Sequence, residues 1–172
     1  MTSGEAALAR GAIVIVTALV VLRLIAAAVT PLTFDETYYW IWAKHLSGGY
    51  YDHPPMVAVV IRLGTMIAGD NAFGVRLVSI LLALPMSWAI YRTAQIFFED
   101  TRIAAASTIF LNATLMASVG TTIVTPDAPL MVAASFVLLG LAKVWQTDGG
   151  VWWLAVGVAV GCGLLSKYTA LF

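Results

Sequence analysis

Long runs of apolar residues constrain this chain more than any other feature. Five segments approach the roughly 20 residues that a helix needs to cross a bilayer: 11–32, 76–98, 103–124, 128–146 and 151–172. Only 10% of the 172 residues are charged, whereas a soluble domain carries about 25%. The sequence therefore predicts an all-α integral membrane protein, a multi-span helix bundle with about five transmembrane helices.

Composition and the two chain ends narrow the class further. The formal net charge is zero, so nothing indicates a nucleic-acid partner, and a lone Cys162 excludes a disulfide framework within the chain. Arg23 interrupts the first apolar run, which continues to Leu32 and so resembles a retained span more than a cleaved signal. The last apolar run reaches Phe172 without a polar cap. We therefore expect the chain to be the N-terminal part of a longer protein.

The segment 54–69 decides the predicted topology. It begins with two prolines and carries Arg62 near its middle, and a central arginine costs roughly 2.5–3.5 kcal/mol on membrane-insertion scales. We therefore expect an amphipathic juxtamembrane helix rather than a span. A second such helix is predicted from residue 34, because "TFDE" (33–36) has the form of a capping box, in which Thr33 and Glu36 satisfy each other's backbone.

This topology brings three polar segments to one membrane face. If 54–69 does not span, the loop 33–75, the turn "TPDAP" (125–129) and the sequence "SKY" (166–168) share that face. If 54–69 spans, the loop and "TPDAP" lie on opposite faces. Lysine and arginine counts hardly discriminate between these topologies. The first topology puts Arg10, Arg92, Arg102 and Lys143 inside, and Lys44 and Arg62 count little because 33–75 is long. We therefore expect a cytoplasmic N-terminus and an exported loop 33–75.

Each acidic segment has a structural and a chemical interpretation. The capping box explains Glu36 better than Asp35, which leaves Asp35 as a candidate catalytic carboxylate. Asp52 and His53 precede a Pro-Pro pair and suit either a turn or an acid/base pair or metal site. Asp127 either caps the following helix or lines a cavity.

Three features within the spans also have two interpretations. A stripe of hydroxyl residues leads toward Asp127 and indicates helix packing more often than a cavity; its members are Ser107, Thr114, Ser118, Thr121 and Thr125. Lys167 either extends to the headgroups or holds a phosphate. Arg23 either extends to the surface or faces the bundle interior.

Five motifs in order resemble one family. "FDETYYWIWAKHL", "YYDHPPM", "GVRL", "TPDAPL" and "GLLSKYTALF" are similar to the N-terminal part of bacterial membrane glycosyltransferases of the GT-C fold, namely family 39 and the aminoarabinose transferase-like enzymes. The resemblance covers roughly residues 11–172. It implies transfer of a sugar from a polyprenyl-phosphate carrier to a lipid, glycolipid or protein acceptor on the exported side of the bacterial inner membrane.

The resemblance also implies roles for individual residues. Asp35 becomes the catalytic base and Asp127 a second acid of the same cavity. The predicted substrate-binding residues are Glu36, Tyr38, Tyr39, Asp52, His53, Arg62, Arg76, Lys167 and Tyr168. Asp52 and His53 are also the candidates for binding a divalent metal ion. A transporter or flippase of lipid-linked sugars is the alternative, although the broken helices typical of that class are not evident in the sequence. A scaffold subunit would leave the acidic, aromatic loop unexplained.

Overall fold

The computed structural model describes residues 3–172, and it is helical throughout with no strand among them. The helices are α1 (Ser3–Val29), α2 (Phe34–Lys44), α3 (Met56–Ala68), α4 (Ala72–Leu81), α5 (Ala83–Phe98), α6 (Thr101–Ala113), α7 (Leu115–Thr122), α8 (Asp127–Thr147) and α9 (Val151–Ser166), followed by a 3₁₀ turn at Tyr168–Leu171. The predicted all-α class is confirmed.

Three of these helical segments are long and apolar enough to cross a membrane. They are α1, the continuous pair α4–α5 over Ala72–Phe98, and α8. The pair α6–α7 makes a fourth span if its two bent parts are counted together. The chain is thus a multi-span helical membrane protein. The fifth predicted span, 151–172, is a regular helix only over the 16 residues of α9, because the backbone becomes extended at Lys167.

The span predicted over 103–124 is broken, which contradicts our expectation of an uninterrupted helix. The axes of α6 and α7 differ by 55°. At Thr114 the backbone leaves the helical region (φ −65°, ψ 146°), and the Thr114 hydroxyl accepts a hydrogen bond from the N–H of Ala117 at 3.2 Å. Thr114 is therefore the N-cap of a new helix, and the hydroxyl stripe is divided between two helices.

Helices α2 and α3 form a compact layer after α1. Tyr39, Trp42 and Ala43 of α2 pack against Val57 and Ile61 of α3. The 13 residues of α3 rise only roughly 20 Å, whereas the hydrocarbon core is roughly 30 Å thick. The length of α3 therefore agrees with the prediction that segment 54–69 does not span.

Helices α3 and α4 approach each other through glycine. A Cβ atom placed on Gly64 would overlap the backbone carbonyl of Gly74, and one placed on Gly74 would overlap the carbonyl of Gly69. Only glycine permits this approach. The close crossing brings Arg76 of α4 within reach of α2.

Candidate active site

The predicted capping box at the start of α2 is confirmed. The Thr33 hydroxyl accepts a hydrogen bond from the Glu36 N–H at 3.4 Å, and Glu36 Oε2 accepts one from the Thr33 N–H at 2.8 Å. This arrangement satisfies two backbone donors at the helix start. It also fixes the position of Asp35, which lies between the two capping residues and is exposed.

Glu36 does more than cap its helix, because it joins three separate segments. Its carboxylate is fully buried and is paired with Arg76 of α4, with Nε–Oε1 and Nη2–Oε2 distances of 2.6 Å. Oε1 also accepts the N–H of Val124 at 3.2 Å. Burial by itself raises the pKa of Glu36, but hydrogen bonds from Arg76, Thr33 and Val124 outweigh burial and hold that pKa below its ordinary value.

The remaining donors of Arg76 are also occupied. Nη1 donates to the carbonyl and hydroxyl oxygens of Thr30 at 2.9 and 2.7 Å, and Nη2 donates to the Pro31 carbonyl at 2.8 Å. A guanidinium group has five N–H donors, and these contacts with those to Glu36 use all of them. The polar atoms of Glu36 and Arg76 thus hold the protein together, and their role as substrate-binding residues stays a prediction.

The negative charges of three carboxylates from three segments act on the phenol of Tyr39. Burial, followed by the negative charges of Asp35, Asp52 and Asp127, raises the pKa of Tyr39 to about 12. Tyr39 is 8% exposed, whereas Asp35 and Asp52 are exposed and Asp127 is half-buried. The residues predicted from "TFDE", "YYDHPP" and "TPDAP" are thus brought together at one place.

Aromatic side chains of α2 and of the "YYDHPP" segment pack against one another near these acids. The rings of Trp42 and Tyr50 are stacked with centroids 4.4 Å apart, and His53 meets the ring of Tyr39 edge-on at 5.9 Å. Tyr38 packs on Trp42 at 4.6 Å, and loss of hydration together with the charge of Asp52 raises the pKa of Tyr38. The "YYDHPP" segment is therefore folded back on α2.

Asp127 lies against Lys167. Helices α8 and α9 are joined by a short turn, so that the first residue of α8 and the last of α9 lie at the same end of the pair. The Lys167 Nζ donates to Asp127 Oδ1 at 2.8 Å, and both side chains remain more than a quarter exposed. Tyr168 follows at this end and is 61% exposed. The structure therefore places an ammonium group beside the acids around Tyr39.

Arg62 lies apart from this group. The face of α3 that carries Val57 and Ile61 packs on α2, and helical periodicity turns Arg62 outward. It lines a separate groove of about 290 Å³ with Lys44 and Asp70. In that groove Lys44 and Trp40 donate to Asp70 at 2.9 and 2.6 Å, and these bonds lower the pKa of Asp70. Arg62 thus lies in a different groove from Asp127 and Lys167, and its role as a substrate-binding residue stays a prediction.

The described residues do not assemble a complete set of metal ligands. Within 3–172, no three or more His, Cys, Asp or Glu side chains are grouped closely enough to hold a metal ion. Asp52 and His53 would supply two ligands, and the His53 ring packs on Tyr39 and Trp42. The metal prediction stays untested, and we derive no chemical step from it.

Sequence reasoning missed the contacts that fix the site. Arg76 and Glu36 are 40 residues apart, as are Lys167 and Asp127, and no local pattern reports such pairs. It named Thr125, two residues before Asp127, only as a member of the hydroxyl stripe. The Thr125 hydroxyl oxygen is buried and has no hydrogen-bond partner among the described residues.

Comparisons with known proteins agree with the motifs. The family described as "Dolichyl-phosphate-mannose-protein mannosyltransferase" matches residues 52–172. The lipid A galacturonosyltransferase RgtD of Rhizobium johnstonii is 32% identical over 146 residues, which cover 83% of this chain and 30% of that protein. No solved structure matches the chain.

Transferases named for an aminoarabinose carrier are also similar. The undecaprenyl phosphate-alpha-4-amino-4-deoxy-L-arabinose arabinosyl transferase 1 of Pseudomonas fluorescens is 34% identical over 135 residues, 74% of this chain and 23% of that protein. The protein of the same name from Proteus mirabilis is 25% identical over 122 residues, 69% of this chain and 22% of that protein. The chain therefore spans less than a third of the length of these relatives. The family match extends over most of the chain and includes Asp52, Asp127 and Lys167, and on this evidence the chain belongs to the dolichyl-phosphate-mannose-protein mannosyltransferase family.

Proposed function

We propose that the protein of this chain transfers a sugar from a polyprenyl-phosphate carrier to a lipid or glycolipid acceptor. The observation that carries the proposal is a pair of contacts that hold Asp35 and Asp127 at one end of the bundle: Glu36 accepts the N–H of Val124, and Lys167 is paired with Asp127. The charges of Asp35, Asp52 and Asp127 all act on Tyr39 there. The family assignment supports it, as do relatives named for lipid A and for an undecaprenyl-phosphate sugar.

Asp35 is the proposed general base. Unlike Glu36, it is exposed and outside the buried ion pair. Asp35 takes the proton from an acceptor hydroxyl, whose oxygen attacks the anomeric carbon of the sugar. The bond between that carbon and the phosphate oxygen breaks, and the phosphate leaves with the electron pair. A single displacement of this kind inverts the anomeric configuration.

Lys167 and Asp127 are proposed to stabilise and position the reacting groups. An ammonium group has three donors, so Lys167 is able to keep its bond to Asp127 while it donates to a phosphate oxygen. Such a contact stabilises the charge that develops on the leaving phosphate. Asp127 holds the ammonium group in place and lies beside the same phenol as Asp35. Tyr38, Tyr39, Asp52, His53 and Tyr168 are the proposed lining residues.

The reaction is proposed to occur on the exported face of the bacterial inner membrane. The N-terminus is then cytoplasmic, and loop 33–75, the turn before α8 and the end of α9 face the periplasm. The contacts of Glu36 with Val124 and of Asp127 with Lys167 support the part of this proposal that puts all three segments at one end of the bundle. The proposed orientation of that end rests on the predicted topology.

The test is sugar transfer by the full-length protein carrying Asp35→Asn. Membranes are supplied with undecaprenyl-phosphate aminoarabinose or galacturonic acid and with lipid A. We expect a loss of at least about 100-fold, the usual contribution of a general base, with an unchanged Tm. Asp70→Asn is the matched control, because Asp70 is an exposed carboxylate of the same loop outside the site. Near wild-type turnover by a folded Asp35→Asn protein would contradict the proposal.

The alternative function is transport or flipping of a lipid-linked sugar. The break between α6 and α7 is the observation that favours it, because transporters commonly use discontinuous helices. A flippase has no need of a base at Asp35. Two results together would support this alternative. The Asp35→Asn protein moves the lipid-linked sugar across the vesicle membrane, and the wild-type protein transfers no sugar to an acceptor.

A further inference from the structure

Arg23 is a buried intramembrane cation surrounded by neutral partners. It lies on α1 and is 7% exposed. Its Nη1 donates to Asn112 Oδ1 and to Thr121 Oγ1, both at 3.3 Å, and its Nη2 donates to the Asn112 carbonyl at 2.8 Å. Its Nε–H donates to no group of the described residues. The guanidinium group therefore retains hydrogen-bonding capacity.

The charge of Arg23 is not compensated by the described part of the chain. The ion pairs within 3–172 are Lys44–Asp70, Arg76–Glu36 and Lys167–Asp127. Glu36 is the buried acid among those residues, and Arg76 already neutralises it. A buried charge without a counter-charge is costly in a membrane. An anionic ligand at Arg23 would remove this cost.

A cavity of about 620 Å³ lies beside Arg23, between α1 and α7. Its lining combines Arg23 with hydroxyl groups and apolar side chains. The hydroxyl groups belong to Thr30, Ser118 and Thr122, and the apolar side chains to Leu19, Leu22, Ala26 and Val119. Pro31 and Thr33, at the start of the first loop, also line it. Between Arg23 and Val29 the helix rises roughly 9 Å. The cavity thus connects the loop end of α1 with the buried cation.

The break between α6 and α7 places this cavity next to Arg23. Asn112 and Ala113, at the end of α6, contribute to its wall. The Asn112 amide nitrogen donates to the Ser87 hydroxyl at 2.7 Å, so that Arg23, Asn112 and Ser87 form one buried network. The network fixes the guanidinium group at the inner end of the cavity.

We propose that this cavity binds the phosphate of an anionic lipid from the leaflet next to loop 33–75. Arg23 holds the phosphate through the N–H donors that the protein leaves unused, and the apolar wall contacts the upper part of an acyl chain. Asp35, Asp127 and Lys167 do not line this cavity, so the site is separate from the proposed active site. The inference does not depend on the proposed transferase activity.

The test compares lipid retention in nanodiscs of phosphatidylcholine with a minor fraction of phosphatidylglycerol. The full-length protein is released from the disc, and retained phosphatidylglycerol is counted by native mass spectrometry. We expect Arg23→Gln to retain about one lipid fewer than wild type, with an apparent affinity lower by roughly tenfold for the lost charge-assisted contact. The control is Arg10→Gln, because Arg10 lies on the same helix, is exposed and bonds to the Ala6 carbonyl of its own helix. It should retain lipid as wild type does.

A second variant keeps the test decisive if Arg23→Gln does not fold. Val119→Trp fills the cavity and leaves the Arg23 bonds in place, and it should lose the same lipid. Wild-type retention by Val119→Trp overturns the proposed cavity, and wild-type retention by Arg23→Gln overturns the role of the cation. In pure phosphatidylcholine discs, inorganic phosphate is added alone. The lipid assignment is wrong, and the ligand is free phosphate, if two results are obtained together. Inorganic phosphate raises the Tm of wild type as much as phosphatidylglycerol does, and it does not raise the Tm of Arg23→Gln.

Discussion

Two adjacent acids at the start of α2 have opposite surroundings. Asp35 is exposed, whereas Glu36 is fully buried and bonded to Arg76, Thr33 and Val124. Successive residues on a helix point about 100° apart, so Glu36 is enclosed by the protein while Asp35 stays open to solvent. The capping pattern predicted the local bonds of Glu36. Nothing local predicted Arg76 or Val124, because their contacts depend on how α2, α4 and the turn before α8 pack.

Glu36→Gln is expected to destabilise the protein strongly. The change leaves Arg76 buried without its counter-charge, which typically costs about 3–5 kcal/mol. Thermal unfolding in detergent or nanodiscs should show a marked fall in Tm. Asp35→Asn is the control next to it, because Asp35 is exposed, and its Tm should stay near that of wild type. Equal Tm values for the two variants would contradict the structural role given to Glu36.

A residue-scale prediction also follows for Lys167, and it rests on the proposed function. Lys167→Gln should raise KM for the lipid-phosphate donor by roughly tenfold, as expected for loss of one charge-assisted hydrogen bond. Its Tm should change little, because a partly exposed ion pair contributes about 1 kcal/mol or less. Lys44→Gln is the matched control, since Lys44 also pairs with an aspartate at 2.9 Å, in a groove outside the site. A donor KM that rises equally in both variants would count against Lys167 as a phosphate ligand.

At the scale of helices, the apolar pattern predicted most elements but not the break. Helices α1, α4–α5 and α8 follow the predicted spans because each is one long apolar run. The run 103–124 was predicted as one span in the same way, yet it is divided at Thr114. A hydroxyl residue in an apolar run is compatible with either a continuous helix or a new N-cap. The choice depends on Arg23, which satisfies the Asn112 carbonyl at the break and is distant in the sequence.

Thr114→Ala should weaken the start of α7. Loss of an N-cap side chain costs about 1 kcal/mol, and the Ala117 N–H loses its acceptor. Hydrogen exchange should be faster at Ala117, with a small fall in the free energy of unfolding. In the control Thr122→Ala, the hydroxyl lost is bonded to the Ser118 carbonyl of the same helix, so exchange at Ala117 should be unchanged. Unaltered exchange in Thr114→Ala would show that Thr114 does not cap α7.

At the scale of the molecule, the predicted juxtaposition of "TFDE", "TPDAP" and "SKY" agrees with the structure. It followed from counting crossings, so it required only that α3 not span. Counting crossings predicts at which end of the bundle a residue lies. It does not predict whether the side chain there is buried, paired or exposed. Arg62, Arg76 and Lys167 were all predicted as substrate-binding residues. One is outward in another groove, one is fully bonded within the protein, and one lies beside the acids.

The contact of Glu36 with Val124 determines which parts of the site are able to separate. Because Val124 lies three residues before Asp127, this contact fastens the helix bearing Asp35 to the turn bearing Asp127. The two carboxylates are therefore held at a fixed spacing. At the end of α9 the Lys167–Asp127 pair is a further link to that turn, and both of its side chains are more than a quarter exposed. The proposed lipid-phosphate substrate is thus able to reach the ammonium group while this pair stays closed.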